Sequence, residues 1–178
     1  MHLKISDILL LEPDIFRDER GFFYEGFNQK EFDKILGEKI SFVQDNYSNS
    51  KKNTLRGLHY QIPPKEQGKL VQVLQGEIFD VVVDLRKKSP TFGSHVTQKL
   101  DSVTKKQLWI PAGFAHGFLV LSDFAEVMYK TTDFYYPNYE RSIIWNDSKL
   151  AIDWPKCSKI LMSDKDKKGS VFLDIDYF

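Results

Sequence analysis

Residues 78–85 read Ile-Phe-Asp-Val-Val-Val-Asp-Leu, and their alternation decides what kind of chain this is. Successive side chains of an extended strand point to opposite faces. Asp80, Val82 and Asp84 therefore share one face, and Phe79, Val81, Val83 and Leu85 share the other. A strand with a polar face of this kind is expected to line a cavity. Working outward, residues 70–75, 95–100, 107–110, 117–121 and 126–132 are further short β-rich runs split by turn residues. Gly76-Glu77 predicts a tight hairpin, and Lys88-Ser89-Pro90-Thr91-Phe92-Gly93 a longer turn. Many short strands at close spacing predict a sandwich or barrel. Only residues 28–37 have helical character, with Asn28 as an N-cap, apolar residues at helical spacing and Gly37 at the end.

The 178 residues suit a single domain, able to bury roughly 70% of its unfolded surface. Lys plus Arg and Asp plus Glu both total 25, so no global field favours nucleic acid, a membrane surface or a polyanion. Any anionic ligand has to be met locally. The basic clusters Lys51-Lys52, Arg86-Lys87-Lys88 and Lys105-Lys106 read as solvated surface. A single cysteine, Cys157, excludes an internal disulfide and a Cys-rich zinc site and points to a reducing compartment, the cytoplasm. The apolar run at residues 8–11 is far shorter than a signal-peptide core or a membrane span, so a soluble protein is expected. Residues 163–168 are highly charged but are followed by Val171-Phe172-Leu173, which predicts that the tail docks back onto the body.

Candidate chemistry begins at residues 54–61, Thr-Leu-Arg-Gly-Leu-His-Tyr-Gln. His59 has three readings: a proton-transfer base, a metal ligand or a packed core side chain. In a regular strand Arg56, Leu58 and Tyr60 would oppose His59, so a bulge at Gly57 is expected if Arg56 and His59 share a site. Residues 109–118 contain Pro-x-Gly-x-x-His ending at His116, which resembles the second motif of the cupin superfamily of small β-barrels. Cupin metal sites usually draw a His-x-His pair from the first motif. Here that stretch offers His59 followed by Tyr60 and Gln61, with His2 and His95 elsewhere, so no bound metal is expected. Tyr129 opens a strand running into an aromatic turn, where it either packs or serves as a general acid. Residues 18–25 and 42–48 mix Arg, Gln, Asn and carboxylates with aromatic rings, the composition expected where a phosphate, a base and a sugar bind.

Together these stretches resemble the dTDP-4-dehydrorhamnose 3,5-epimerases, cofactor-independent cupins of nucleotide-sugar metabolism. The resemblance runs in order through FRDERGFF (16–23), FVQDN (42–46), LRGLHYQ (55–61), QGKLV (67–71), GEIFDV (76–81), SPTFG (89–93), QLWIP (107–111), GFAHGF (113–118), YKTT (129–132) and IDWP (152–155). It implies a mainly β, jelly-roll (cupin-type) barrel with a few short helices, one epimerase domain over residues 1–178, and a homodimer that exchanges N-terminal strands. It also implies roles: His59 as base, oriented by Asp166; Tyr129 as acid from the other face; Lys69 stabilising an enolate. The binding positions that match are Gln44, Asn46, Arg56, His116, Glu140 and Lys165, with Arg20 and Glu25 supplied by the neighbouring subunit. Tyr47 departs from the pattern, standing where many relatives have His.

The implied reaction inverts carbons 3 and 5 of dTDP-4-dehydro-6-deoxy-D-glucose. The carbon 4 ketone acidifies both neighbouring C–H bonds, because the carbanion delocalises onto its oxygen, and no redox cofactor is needed. Such a site must supply a base, an acid on the opposite face and positive charge at the oxygen. Histidine suits the base because it titrates near neutrality. The alternatives are a mono-epimerase, an epimerase of another nucleotide-linked 4-keto sugar, a metal-dependent cupin oxygenase and a non-catalytic sugar-binding cupin.

Overall fold

The computed structural model describes residues 3–178, in which two five-stranded sheets carry most of the chain. The first runs β1 (Leu9–Leu11), β9 (Gln107–Ile110), β6 (Lys69–Gln75), β11 (Phe124–Thr131) and β4 (Gln44–Lys51) in spatial order. The second runs β12 (Glu140–Ser142), β5 (Leu55–Gln61), β10 (Phe114–Val120), β7 (Glu77–Asp84) and β8 (His95–Asp101). The consecutive strands β4 to β11 thus fall in the orders 4-11-6-9 and 5-10-7-8, the double Greek key of a jelly roll. Among the described residues no strand ladder joins the two sheets, so the barrel is held shut by packing and by side-chain bonds such as Arg56 to Ser50.

The alternation in β7 explains its place at the centre of the fold. Ile78 and Val82 face the first sheet and pack with Val71, Val73, Leu108 and Val127. Val81, Val83 and Leu85 face the other way, where residues 143–178 wrap the second sheet and add Ile143, Trp154 and Phe172. Burial on both faces accounts for the near-continuous Val run. Asp80 and Asp84 share the inter-sheet face, as the alternation requires, and both are fully buried.

The outer face of the first sheet is covered by α1 (Gln29–Leu36), which follows its sequence signals closely. The Asn28 side chain accepts from the Lys30 and Glu31 amides, and Gly37 ends the helix at φ 75°. Phe32 is its one buried residue and meets Trp109 edge-on at 5.2 Å. The hairpin β2 (Ile15–Asp18) and β3 (Gly21–Tyr24) forms a separate two-stranded ribbon with Phe16, Phe22 and Phe23 exposed. Two short elements, α2 (Asp164–Lys167) and a 3-10 turn at Phe172–Asp174, lie in the C-terminal segment.

Several local expectations are corrected. Gly76-Glu77 is not a hairpin: β6 and β7 belong to different sheets, and Gly76 is the corner between them. Its φ of 78° and the Phe124 carbonyl, 2.2 Å from where a Cβ would stand, account for the glycine. Lys105 and Arg86 are not solvated surface. Lys105 is buried with its ammonium over the Phe22 ring, and Arg86 bonds Asp84 and Asp7 while lying over Phe114. β10 begins at Phe114 rather than at Gly117, and β4 was not anticipated because Gln-Asp-Asn-Tyr-Ser-Asn-Ser-Lys carries no apolar alternation.

Candidate functional site

A cavity of about 400 Å³ opens between the inner faces of the two sheets, within the usual size range of small-ligand sites. β4 contributes Gln44 and Asn46; β5 contributes Arg56 and His59; β6 contributes Lys69. His116 of β10, Tyr129 of β11, Glu140 of β12 and Lys165 of α2 add to the polar lining. His59 stands on the second sheet and Tyr129 on the first, so a ring held between them would present one face to each.

The irregularity expected at Gly57 is present. His59 pairs with His116 and Arg56 with Phe118, so β5 spends one more residue than β10 over this interval. The extra residue turns Arg56 and His59 to the cavity and leaves Leu55, Leu58 and Tyr60 in the core behind. Gly57 has φ 116°, and a Cβ there would stand 2.5 Å from the Gly117 Cα. A Cβ on Gly117 would in turn stand 2.6 Å from the Arg56 carbonyl oxygen. The two motif glycines are therefore a matched close approach.

Behind His59 sits Asp166, 4% exposed, with Oδ1 2.5 Å from His59 Nε2. A carboxylate on Nε2 fixes the hydrogen there and leaves Nδ1 as the nitrogen with an open lone pair. Burial would raise the Asp166 carboxyl, but hydrogen bonds from His59, Ser163 and the Gly57 amide hold it below its ordinary range. A second pair lies deeper: His116 Nε2 is 2.8 Å from Asp80 Oδ2. Here burial prevails over the attraction of His116 and Lys69, and the Asp80 carboxyl is raised.

Lys69 is 8% exposed, and its ammonium lies 3.4 Å from the His59 carbonyl oxygen. Burial pulls its pKa down to about 8, against the carboxylates of Glu140 and Asp80. It remains a cation at neutral pH. Burial raises the Tyr129 phenol despite nearby Arg56, so it remains a proton donor. At the mouth, Glu140 Oε2 accepts from Tyr135 Oη at 2.6 Å and from Lys165 Nζ. Gln44 is held by the Tyr135 amide and by Asn46, while Arg56 uses only Nε internally, on Ser50 at 3.0 Å.

Two expected residues are not brought here within one chain. Arg20 is at the exposed turn of the ribbon, paired to Asp18 at 2.6 Å, and Glu25 accepts from Asn28 Nδ2. Conversely, Asp80, Ser163 and Tyr135 belong to the site but were not named as site residues. Asp80 is signalled by the polar face of residues 78–85, Tyr135 by the aromatic turn after Tyr129, and Ser163 by the Ser-x-Lys-Asp stretch that ends at Asp166. Among the described residues no group of three or more His, Cys, Asp or Glu side chains is arranged to hold a metal ion. His2 lies outside the described residues. No helix is long and apolar enough to cross a membrane.

The chain and its fold have counterparts. A family model described as dTDP-4-dehydrorhamnose 3,5-epimerase matches residues 2–174. The dTDP-4-dehydrorhamnose 3,5-epimerase of Pseudomonas aeruginosa is 56% identical over 176 residues, covering 99% of this chain and 97% of the relative. That of Shigella flexneri is 57% identical over 175 residues, covering 98% and 96%. Among solved structures, dTDP-6-deoxy-D-glucose-3,5-epimerase from Legionella pneumophila, in complex with dTDP-4-keto-L-rhamnose, superposes with a TM-score of 0.96. That protein is 50% identical, and the match covers 99% of this chain and 93% of that one. With its sequence and fold matched over nearly the whole length, the chain belongs to the dTDP-4-dehydrorhamnose 3,5-epimerase family.

Proposed function

We propose that this chain is an isomerase that inverts carbons 3 and 5 of dTDP-4-dehydro-6-deoxy-D-glucose to give dTDP-4-dehydro-L-rhamnose. The observation that carries the reading is the His59–Asp166 pair on one cavity wall, with Tyr129 and Lys69 on the other. His59 Nδ1 removes the proton next to the ketone, and Asp166 stabilises the imidazolium that forms. The electron pair moves onto the carbon 4 oxygen, where the Lys69 ammonium offsets the enolate charge. Tyr129 returns a proton from the opposite face, which inverts the centre. Repeating the sequence at the second carbon requires His59 to release its proton to solvent, Tyr129 to take one up from solvent, and the ring to turn between steps. Arg56 meets the diphosphate, Gln44 and Asn46 the nucleoside, and His116, Glu140 and Lys165 the sugar end of the cavity.

The active unit is a homodimer of single-domain chains in the cytoplasm, in which Arg20 and Glu25 reach the cavity of a second copy. Three exposed phenylalanines on the ribbon, Phe16, Phe22 and Phe23, support this reading. Mixing Arg20→Ala and His59→Ala chains then regenerates one intact site per mixed dimer, restoring about a quarter of wild-type activity under random pairing. No recovery would mean that each site is built from one chain.

Turnover in deuterated water tests the reaction. Label is expected at carbons 3 and 5 of the product. Label at neither carbon would sink the proposal, and label at carbon 3 alone would make the chain a mono-epimerase. His59→Ala is expected to abolish exchange while leaving dTDP binding within a few-fold; retained exchange removes His59 from the role of base.

A further inference from the structure

The carboxylate behind His59 arrives on a strap, residues 161–170, that is pinned to the body by backbone hydrogen bonds at both ends. At one end the Leu161 amide donates to the Asn53 carbonyl at 2.8 Å, and the Leu55 amide donates to the Leu161 carbonyl at 2.9 Å. At the other, the Ser170 amide donates to the Ser142 carbonyl and the Ile144 amide to the Ser170 carbonyl, both at 2.9 Å. Gly169 lies so close to the 143–144 backbone that a Cβ there would stand 2.7 Å from the Ile143 carbonyl carbon. These pins fix where the strap lies. They do not fix how the Asp166 carboxylate is turned about its own side-chain bonds.

That is done by Ser163. Its Oγ accepts from the Asp166 amide at 3.1 Å and donates to Asp166 Oδ2 at 2.7 Å, closing a ring within the strap. Oδ1 is thereby left to His59. We propose that Ser163 is a positioning residue for the reaction: by holding Oδ2 it keeps Oδ1 on His59 Nε2 and so keeps Nδ1 as the proton-accepting nitrogen. This inference rests on the proposed role of His59 as the base. A buried carboxylate with one oxygen unpaired would both rotate and hold its own proton more tightly. The other charged or titratable groups facing the pair are Glu140 on β12, Lys165 on α2, Lys69 on β6, His116 on β10, Arg56 on β5 itself and Tyr129 across the cavity. None of these side chains bonds Oδ2, and beside the Gly57 amide Ser163 is the donor that holds the carboxylate from the strap's side, so removal of its hydroxyl has a signature of its own.

The experiment measures kcat, KM and the pH dependence of kcat for Ser163→Ala, Ser163→Gly and Ser163→Thr, with His59→Ala in parallel. Glycine serves because it starts a helix nearly as well as serine while lacking the hydroxyl; should Ser163→Ala not fold, Ser163→Gly decides the matter. Loss of the hydroxyl is expected to lower kcat about tenfold, leave KM within about twofold and move the acid limb of kcat down by about one pH unit, because the imidazolium loses its partner. Ser163→Thr is expected to recover most of the lost kcat. An unchanged kcat, a change confined to KM, or a fall in kcat without movement of the acid limb overturns the proposal. If His59→Ala retains solvent exchange, the base assignment itself falls, and that outcome is distinguishable from failure at Ser163 alone.

Discussion

Two histidine–carboxylate pairs face the same cavity and are built in opposite ways. His116 and Asp80 stand on neighbouring strands of one sheet, with His116 opposite Val82 and Phe118 opposite Asp80, so the ladder itself brings them together. His59 and Asp166 are 107 residues apart and meet only because the C-terminal strap closes over β5. The first pair is a consequence of strand register. The second joins two distant parts, a bulged strand and a strap that carries its own capping serine. Electrostatics divide the same way, since donors dominate around Asp166 and lower its carboxyl, while desolvation dominates at Asp80 and raises it.

The largest effect expected from breaking this contrast is kinetic. Asp166→Asn removes the group that fixes the His59 tautomer and should lower kcat about 10²-fold or more, against about tenfold for Asp80→Asn. Equal losses in steady-state assays would put the two pairs on the same footing. Next is the bulge that aims His59. Gly57→Ala meets both a φ of 116° and a 2.5 Å approach to Gly117, and should cost about 2–4 kcal/mol in denaturant unfolding. A loss of less than half that would show that the Gly57–Gly117 contact is soft.

Lys69 sharpens the comparison through pH. With its pKa pulled to about 8, the cation that offsets the enolate is present below that value and lost above it, so kcat should fall as pH rises through 8. The limb should be absent in Lys69→Met, whose residual rate is flat there. Stability carries the carboxylate contrast with opposite signs. Asp166 has a folded value below its unfolded one, so its contribution is present above the unfolded value of about 4 and is lost as pH falls through the folded value. Asp80 has a folded value above its unfolded one, so its contribution is present at acid pH and declines as pH rises from about 4 through the raised value. Thermal unfolding of Asp166→Asn and Asp80→Asn against pH should therefore diverge from wild type in opposite directions; parallel curves would contradict this. The smallest effect lies far from either pair. Asn28→Ala removes the α1 cap and should cost about 1 kcal/mol in denaturant unfolding.

Legibility in the sequence followed the range of the interaction concerned. Residues 28–37 and 78–85 announced a capped helix and a central strand because cap chemistry and side-chain alternation are local rules. The bulge was also legible, since Arg56 and His59 cannot share a face of a regular strand. β4 was not, because its alternation is between cavity-facing polar groups and solvent-facing ones, with no apolar residue to mark the inner side. Gly76 looked like a hairpin because a glycine between two strand-like runs says nothing about whether the second run rejoins the same sheet. The pairing of Asp166 with His59 was reached through family resemblance, and no local pattern encodes it.

By itself, then, the sequence determined the β class of the chain, its helix and caps, the buried two-faced strand β7 and the need for a kink at Gly57. All of these depend on residues within a few positions of one another. Only the tertiary structure decided which strands share a sheet, that Lys105 is buried beneath the ribbon, and that Asp166 meets His59 across 107 residues. The reason is physical. Each of those outcomes depends on which distant groups remain to pair with once water has been excluded, and that is settled by packing across the whole chain.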